Sequence, residues 1–229
     1  MTARIFLFLA LSGWAHGQTS PATPSPSPSP TPVQVASIET AEIKGFEEYP
    51  SEVQKLIKES VTLTKKQLFY KYGSADPEQG GMDCSGTIYY VLRAVGVEDV
   101  PRTASAQYLW TRKADTFDSV ISRKMDSYEL KGMKPGDLLF WTGTYATDVD
   151  PPVTHSMIYL GERKKDGKQI MFGASEGRSY DGERMFGVSI FDFTIPKAQP
   201  KPTKGAAAIP SSVFIGYGSI PGLKKETTE

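Results

Sequence analysis

"GGMDCSGTIYYVLRAVGV", residues 80–97, decides how the chain reads, because it holds the only cysteine and opens a helix on it. Ile88, Val91, Leu92 and Val95 recur at helical spacing, and Gly96 stands where such a helix would end. Upstream, KYGSADPEQGG (71–81) is rich in turn formers. Cys84 therefore sits at the amino end of a helix, behind a glycine-rich loop and an aspartate. The N–H groups there lack intrahelical acceptors and carry the positive end of the helix dipole. They favour a thiolate over a thiol and can stabilise an oxyanion. A lone cysteine is a buried filler, an intermolecular disulfide or a reactive thiol. Its position favours the third.

Working outward, PSEVQKLIKESVTLTKKQLFY (50–70) predicts a helix with Val53, Leu56, Ile57, Val61, Thr64 and Leu68 near one face. Ser51 with Gln54 matches a capping box. A short helix is expected over 105–112. The second half changes character. GDLLFW (136–141), VTHSMIYLG (153–161), KQIMFGAS (168–175), FGVSIFDF (186–193) and SSVFIGYG (211–218) are short, β-rich and bounded by Gly, Pro or Asp. Helices followed by strands predict an α+β domain with an antiparallel sheet. Between strands, 143–153 reads as a solvated loop with Asp148 and Asp150 near a cleft mouth. EGRSYDGERMFG (176–187) reads as a charged turn, in which Arg178 or Arg184 is a lesser candidate for a substrate carboxylate. Trp110 and Trp141 are assigned to the core.

The 229 residues carry 26 basic and 26 acidic side chains and no block of like charge. That balance argues against a nucleic-acid partner and against a polybasic membrane contact. Residues 1–17, MTARIFLFLALSGWAHG, read as a secretory signal: Arg4, then an apolar run from Ile5 to Leu11, then small residues at Ala15 and Gly17. No cysteine follows the apolar run, so a lipoprotein anchor is not expected. Residues 18–45 read as a linker, with alternating Pro and Ser/Thr over 19–32 that favours extended geometry. The catalytic domain is expected over 46–222 and a frayed tail over 223–229. No later stretch is apolar enough to span a membrane, and the expected location is the periplasm, the cell surface or the medium.

A thiolate nucleophile needs a proton partner for the leaving group. His16 departs with the signal, which leaves His155 as the only imidazole. Strand alternation puts His155, Met157 and Tyr159 on one face. One His and one Cys are too few for the common zinc sets, so no metal or other cofactor is expected.

Four segments in order, YKYGS…GGMDCSG, VPRTASAQY, LKGMKPGDLLFW and THSMIYLG, resemble the NlpC/P60 cysteine peptidases across roughly residues 68–217. The resemblance implies a papain-like fold, with a nucleophile helix packed on an antiparallel sheet. It implies Cys84 as nucleophile and His155 as base and acid, with Asp83, Ser85 and a tyrosine, Tyr70 or Tyr72, at the substrate end. It also implies a peptidoglycan or muropeptide substrate, such as the bond between γ-D-glutamate and a diamino acid. The chain departs from the family at the third catalytic position, normally polar, where alignment puts Gly173. Ser175 lies on the same face about 7 Å along the strand and is the tentative substitute, with Glu176 as another. A backbone carbonyl or a water is a further way to hold the ring. The glycine would otherwise leave room for substrate.

Overall fold

In the computed structural model, residues 34–195 and 212–223 are described. The expected signal, the Pro/Ser/Thr run and the tail beyond Leu223 lie outside them.

Among the described residues, three α-helices form near where the sequence predicts them. α1 is Ser51–Thr64, α2 is Cys84–Ala94 and α3 is Ala104–Lys113. The start of α1 differs from expectation. Pro50 is its N-cap, so Ser51 stands inside the helix rather than at the cap position expected of it, and Gln54 Nε2 donates back to the Tyr49 carbonyl at 2.9 Å. α2 begins at Asp83, whose Oδ1 accepts the Gly86 N–H at 2.6 Å, and ends before Gly96, which takes φ +88°. Ile88, Val91 and Leu92 on its inner face are fully buried. Each such burial contributes about 1.5–3 kcal/mol.

The described residues form eight strands. β1 (Phe69–Tyr70) and β2 (Gly81–Met82) form a small parallel pair beside the cysteine. β3 (Phe117–Ser119), β4 (Leu138–Thr142), β5 (Val153–Glu162), β6 (Gln169–Tyr180), β7 (Glu183–Asp192) and β8 (Val213–Gly218) form one antiparallel sheet in the order β3-β8-β4-β5-β6-β7. The helix-on-sheet α+β arrangement is the one the sequence predicts. Strands β4 to β8 are the five anticipated ones, with β6 and β7 longer than expected. Residues 176–187 are not a loop: they belong to the β6–β7 hairpin, whose turn is only Asp181 and Gly182 at φ 54° and 89°. Both residues in left-handed backbone is the two-residue turn whose twist suits a hairpin.

Alternation along the strands sorts the core into two layers. Leu138, Phe140, Ile158, Phe172 and Ile190 face the helices. Leu139, Trp141, Met157, Met171 and Phe191 pack on the other face with Phe193 and Phe214. Trp141 is fully buried, whereas Trp110 is only partly so.

Residues 34–45, read from sequence as the end of the linker, lie on the domain. Gln34 and Ala36 accept backbone hydrogen bonds from Phe186 and Ile190 along the outer edge of β7, and Ile43 is fully buried. Apolar Ile38 and Ile43 anchor the segment, which covers a sheet edge that would otherwise be open to another chain.

Candidate active site

The loop before α2 closes on Asp83. Besides capping the helix, its carboxylate accepts the Gly73 N–H at 2.8 Å, the Ser85 hydroxyl at 3.2 Å and both ends of the Arg102 guanidinium at 3.0 and 2.8 Å. Gly86 is required here, because a Cβ would collide with the Ser74 carbonyl, which itself accepts the Asp83 N–H. Asp83 and Ser85 line a cavity, with their polar atoms engaged.

Cys84 is 5% exposed and opens onto a cavity of about 380 Å³ that Ser85, Arg102, Tyr70, Tyr145 and Val153 also line. Backbone N–H groups of Ser156, Ser85 and Cys84 itself lie close enough to favour its thiolate. The helix end led us to expect an easily ionised thiol. Burial outweighs those donors and, with the Asp83 charge beside it, pushes the thiol up to about 11.

The Ser156 contact joins the two halves of the site, since Ser156 follows His155. Pairing of β5 with β6 runs only as far as Ile158–Phe172, so beyond it the stretch with His155 and the stretch with Ser175 open apart. α2 packs against β5 and β6. The sequence reading passed over the residue that sets the spacing, Gln107. Fully buried on α3, its Nε2 donates to the Ser85 carbonyl at 3.0 Å and its Oε1 accepts from the Ser156 hydroxyl at 2.7 Å. One amide thereby ties the nucleophile helix to the histidine strand.

His155 shares a face with Met157 and Tyr159, as alternation predicts, and its ring meets Trp141 edge-on at 5.7 Å. Trp141 is its partner across β4 and β5. His155 Nε2 is buried and has no hydrogen-bond partner among the described residues. The Gly173 position explains part of this. A Cβ there would stand 3.0 Å from Met157 Cγ, so a thioether side chain, not substrate space, occupies the region. Ser175 and Glu176 line the same 420 Å³ cavity as His155, but neither hydrogen-bonds Nε2. Aromatic packing rather than a polar third residue holds the ring. Burial, then the positive charge of Arg178, keep the imidazole well below its ordinary range, so it is neutral at rest.

Tyr70, Tyr72 and Tyr145 line both cavities and form their common wall. Burial raises Tyr70, followed by the nearby Cys84 and Asp83, so its phenol remains a donor. Tyr72 is 75% exposed and meets Tyr145 edge-on at 6.3 Å. The 143–153 segment thus reaches the cleft through Tyr145, Thr147 and Val149, while Asp148 and Asp150 stay exposed. Among the described residues, no group of three or more His, Cys, Asp or Glu side chains is placed to hold a metal. Nor is any helix there long and apolar enough to cross a membrane.

Comparison with known proteins agrees with this geometry. The gamma-DL-glutamyl hydrolase of Bacillus subtilis (strain 168) is 30% identical over 171 residues, covering 69% of this chain and 34% of that protein. The chain therefore spans about a third of that relative's length. A profile of the NlpC/P60 family matches residues 67–185, just over half of the chain. The cysteine helix and the histidine strand both fall inside that stretch, and the chain belongs to the NlpC/P60 family of cysteine peptidases and amidases.

Proposed function

We propose that the protein is an exported cysteine peptidase that hydrolyses γ-D-glutamyl amide bonds in peptidoglycan stem peptides, with Cys84 as nucleophile and His155 as base and acid. The observation that carries this reading is the position of Cys84: the amino end of a helix, close to the Ser156 backbone on the histidine strand, at the mouth of a cavity. Family membership supports the reaction class, and the name of the Bacillus relative supports a γ-glutamyl bond.

At rest the pair is a neutral thiol and a neutral imidazole. The proton therefore leaves sulfur as the S–C bond forms, not before. Cys84 attacks the carbonyl carbon, the thiol proton passes to His155, and N–H groups at the amino end of α2 face the developing oxyanion. His155 then gives that proton to the departing nitrogen as the C–N bond breaks, leaving a thioester. Water, deprotonated by the same imidazole, releases the acid and restores the thiol. Tyr70, Tyr72 and Tyr145 offer aromatic faces and phenol donors to the peptide.

A second reading, favoured by the relative's name, is cleavage of γ-glutamyl bonds outside the cell wall. Mass spectrometry of muropeptides before and after digestion tests the first. Wild-type protein releases new fragments, and Cys84→Ala and His155→Ala fall by about 10³-fold or more, the scale for removing a nucleophile or its base. Fragments appearing unchanged with both variants would overturn the assignment. Cleavage of a free γ-glutamyl peptide with no action on sacculi would favour the second reading.

A further inference from the structure

We propose that Arg178 is a binding residue for a carboxylate on the leaving-amine side of the substrate. The proposal rests on the peptidase reading above. Its starting point is a β-bulge. Glu176 pairs with Phe186 and Arg178 pairs with Met185, which leaves Gly177 as an extra residue in β6. Gly177 takes φ +92°, and a Cβ there would run into the Arg184 guanidinium, so the bulge depends on glycine. The extra residue reverses the alternation. Without it, Arg178 would face the helices. With it, Arg178 turns to the face that carries Gly173, Ser175 and His155.

There the guanidinium stacks on the Trp141 ring, 4.4 Å from carbon to centroid, and Trp141 is the ring that meets His155. Arg178 lines the same 420 Å³ cavity as the imidazole. Among the described residues it has neither hydrogen bond nor ion pair. The other arginines among the described residues that are not exposed, Arg102 and Arg163, are both paired. Arg163, on β5's far turn, bonds Asp166 at 3.0 and 2.6 Å and Asp181 at 3.1 Å. Arg102 is held two-pronged by Asp83. Glu176 lines the cavity too, yet it is exposed and forms no ion pair with Arg178. A partly buried guanidinium, aimed by a bulge and stacked on an aromatic face, is preorganised for a planar carboxylate.

The side of the substrate follows from the chemistry. His155 must hand its proton to the departing nitrogen, so that nitrogen lies against the imidazole. A carboxylate on the residue carrying it then comes within reach of the group beside the imidazole.

The test uses two tripeptides, L-alanyl-γ-D-glutamyl-L-lysine with a free C-terminal carboxylate and the same peptide as its carboxamide. Wild-type kcat/KM is expected to favour the carboxylate by about tenfold to a hundredfold, the range of a charge-assisted hydrogen bond. Arg178→Gln and Arg178→Met lose that preference by slowing only the carboxylate peptide, and Arg178→Lys keeps part of it. Arg178→Met keeps a cover on Trp141, and circular dichroism checks each fold. Equal loss on both peptides, or an intact preference in Arg178→Met, would overturn the proposal. If the wild type cleaves neither peptide, the peptidase reading fails separately. Calorimetry on the Cys84→Ala chain then decides the point: tighter binding of the carboxylate that disappears in Cys84→Ala/Arg178→Met upholds the role of Arg178, and equal binding ends it.

Discussion

On the cysteine side of the cleft, Asp83 collects two backbone N–H groups, the Ser85 hydroxyl and both arms of Arg102, and Gln107 uses both ends of its amide. On the histidine side, His155 Nε2 and Trp141 Nε1 are buried without partners among the described residues, and Arg178 has only the Trp141 ring. The first half is built as a finished scaffold. The second keeps open polar valences where a bound peptide would supply the missing groups. Buried polar atoms left unsatisfied cost stability, so their gathering around His155 points to use rather than to folding. Substitutions on the two sides should therefore fail in different ways.

The largest effect is expected from Gln107→Leu. It strands the Pro101 carbonyl and the buried Ser156 hydroxyl together, each worth about 1–3 kcal/mol when left unmet, and removes the tie to the Ser85 carbonyl. A loss of about 3 kcal/mol or more in urea unfolding should accompany a fall in activity, because α2 and β5 lose their shared tie. A folded, stable and fully active Gln107→Leu would mean that packing alone sets the spacing.

Next comes Arg102→Met. Removing one partner of a buried ion pair costs about 3–5 kcal/mol. Here the side chains are 33% and 9% exposed, so water re-solvates Asp83 in part and about 2 kcal/mol is the fair expectation. The matching change across the cleft, Arg178→Met, breaks no ion pair and should cost about 1 kcal/mol or less, the scale of a cation–π contact. Equal destabilisation by the two, measured by denaturant midpoint, would erase the contrast between the halves.

Much of this arrangement was legible in the sequence, for physical reasons that differ along the chain. Cys84 at a helix start, and His155 on an alternating strand, are local patterns, and both follow from spacing alone. The open side was harder to read. Arg178 sits in a run of charges that resembles any solvated turn, and only the bulge at Gly177 carries it to the face that bears His155. The Tyr-Asp-Gly-Glu stretch did contain a signal, since Asp-Gly between strands marks a two-residue hairpin turn. Reading it would have turned the expected loop into strand. Gln107 gave no such sign, because a buried amide in an amphipathic helix declares itself only through partners distant in sequence. Thiol ionisation went astray for a related reason: the helix end is visible in the sequence, but the burial that overrides it is not.

The smallest effect is also the one most particular to the histidine side. Burial is the main cause of the lowered imidazole basicity and the Arg178 charge the second. The titratable groups that line the cavity with His155 are Tyr70 from β1, Tyr72, Tyr145, and Arg178 and Glu176 from β6. Arg178→Met removes the one cation, so the imidazole should move up, though not to its ordinary value, because burial remains. Activity requires the neutral ring. In the wild type it should persist well below pH 6.5, and in Arg178→Met the acid limb of kcat/KM should shift upward. Stability gives an independent check. A base with a lowered folded pKa contributes fully above its unfolded value of about 6.5 and loses that contribution as pH falls toward the folded one. The fall in Tm on acidification from about pH 7 to 4 should be shallower in Arg178→Met. Superimposable limbs and slopes would show that the guanidinium charge does not reach the imidazole, and the open side would then be no more than a gap in hydrogen bonding.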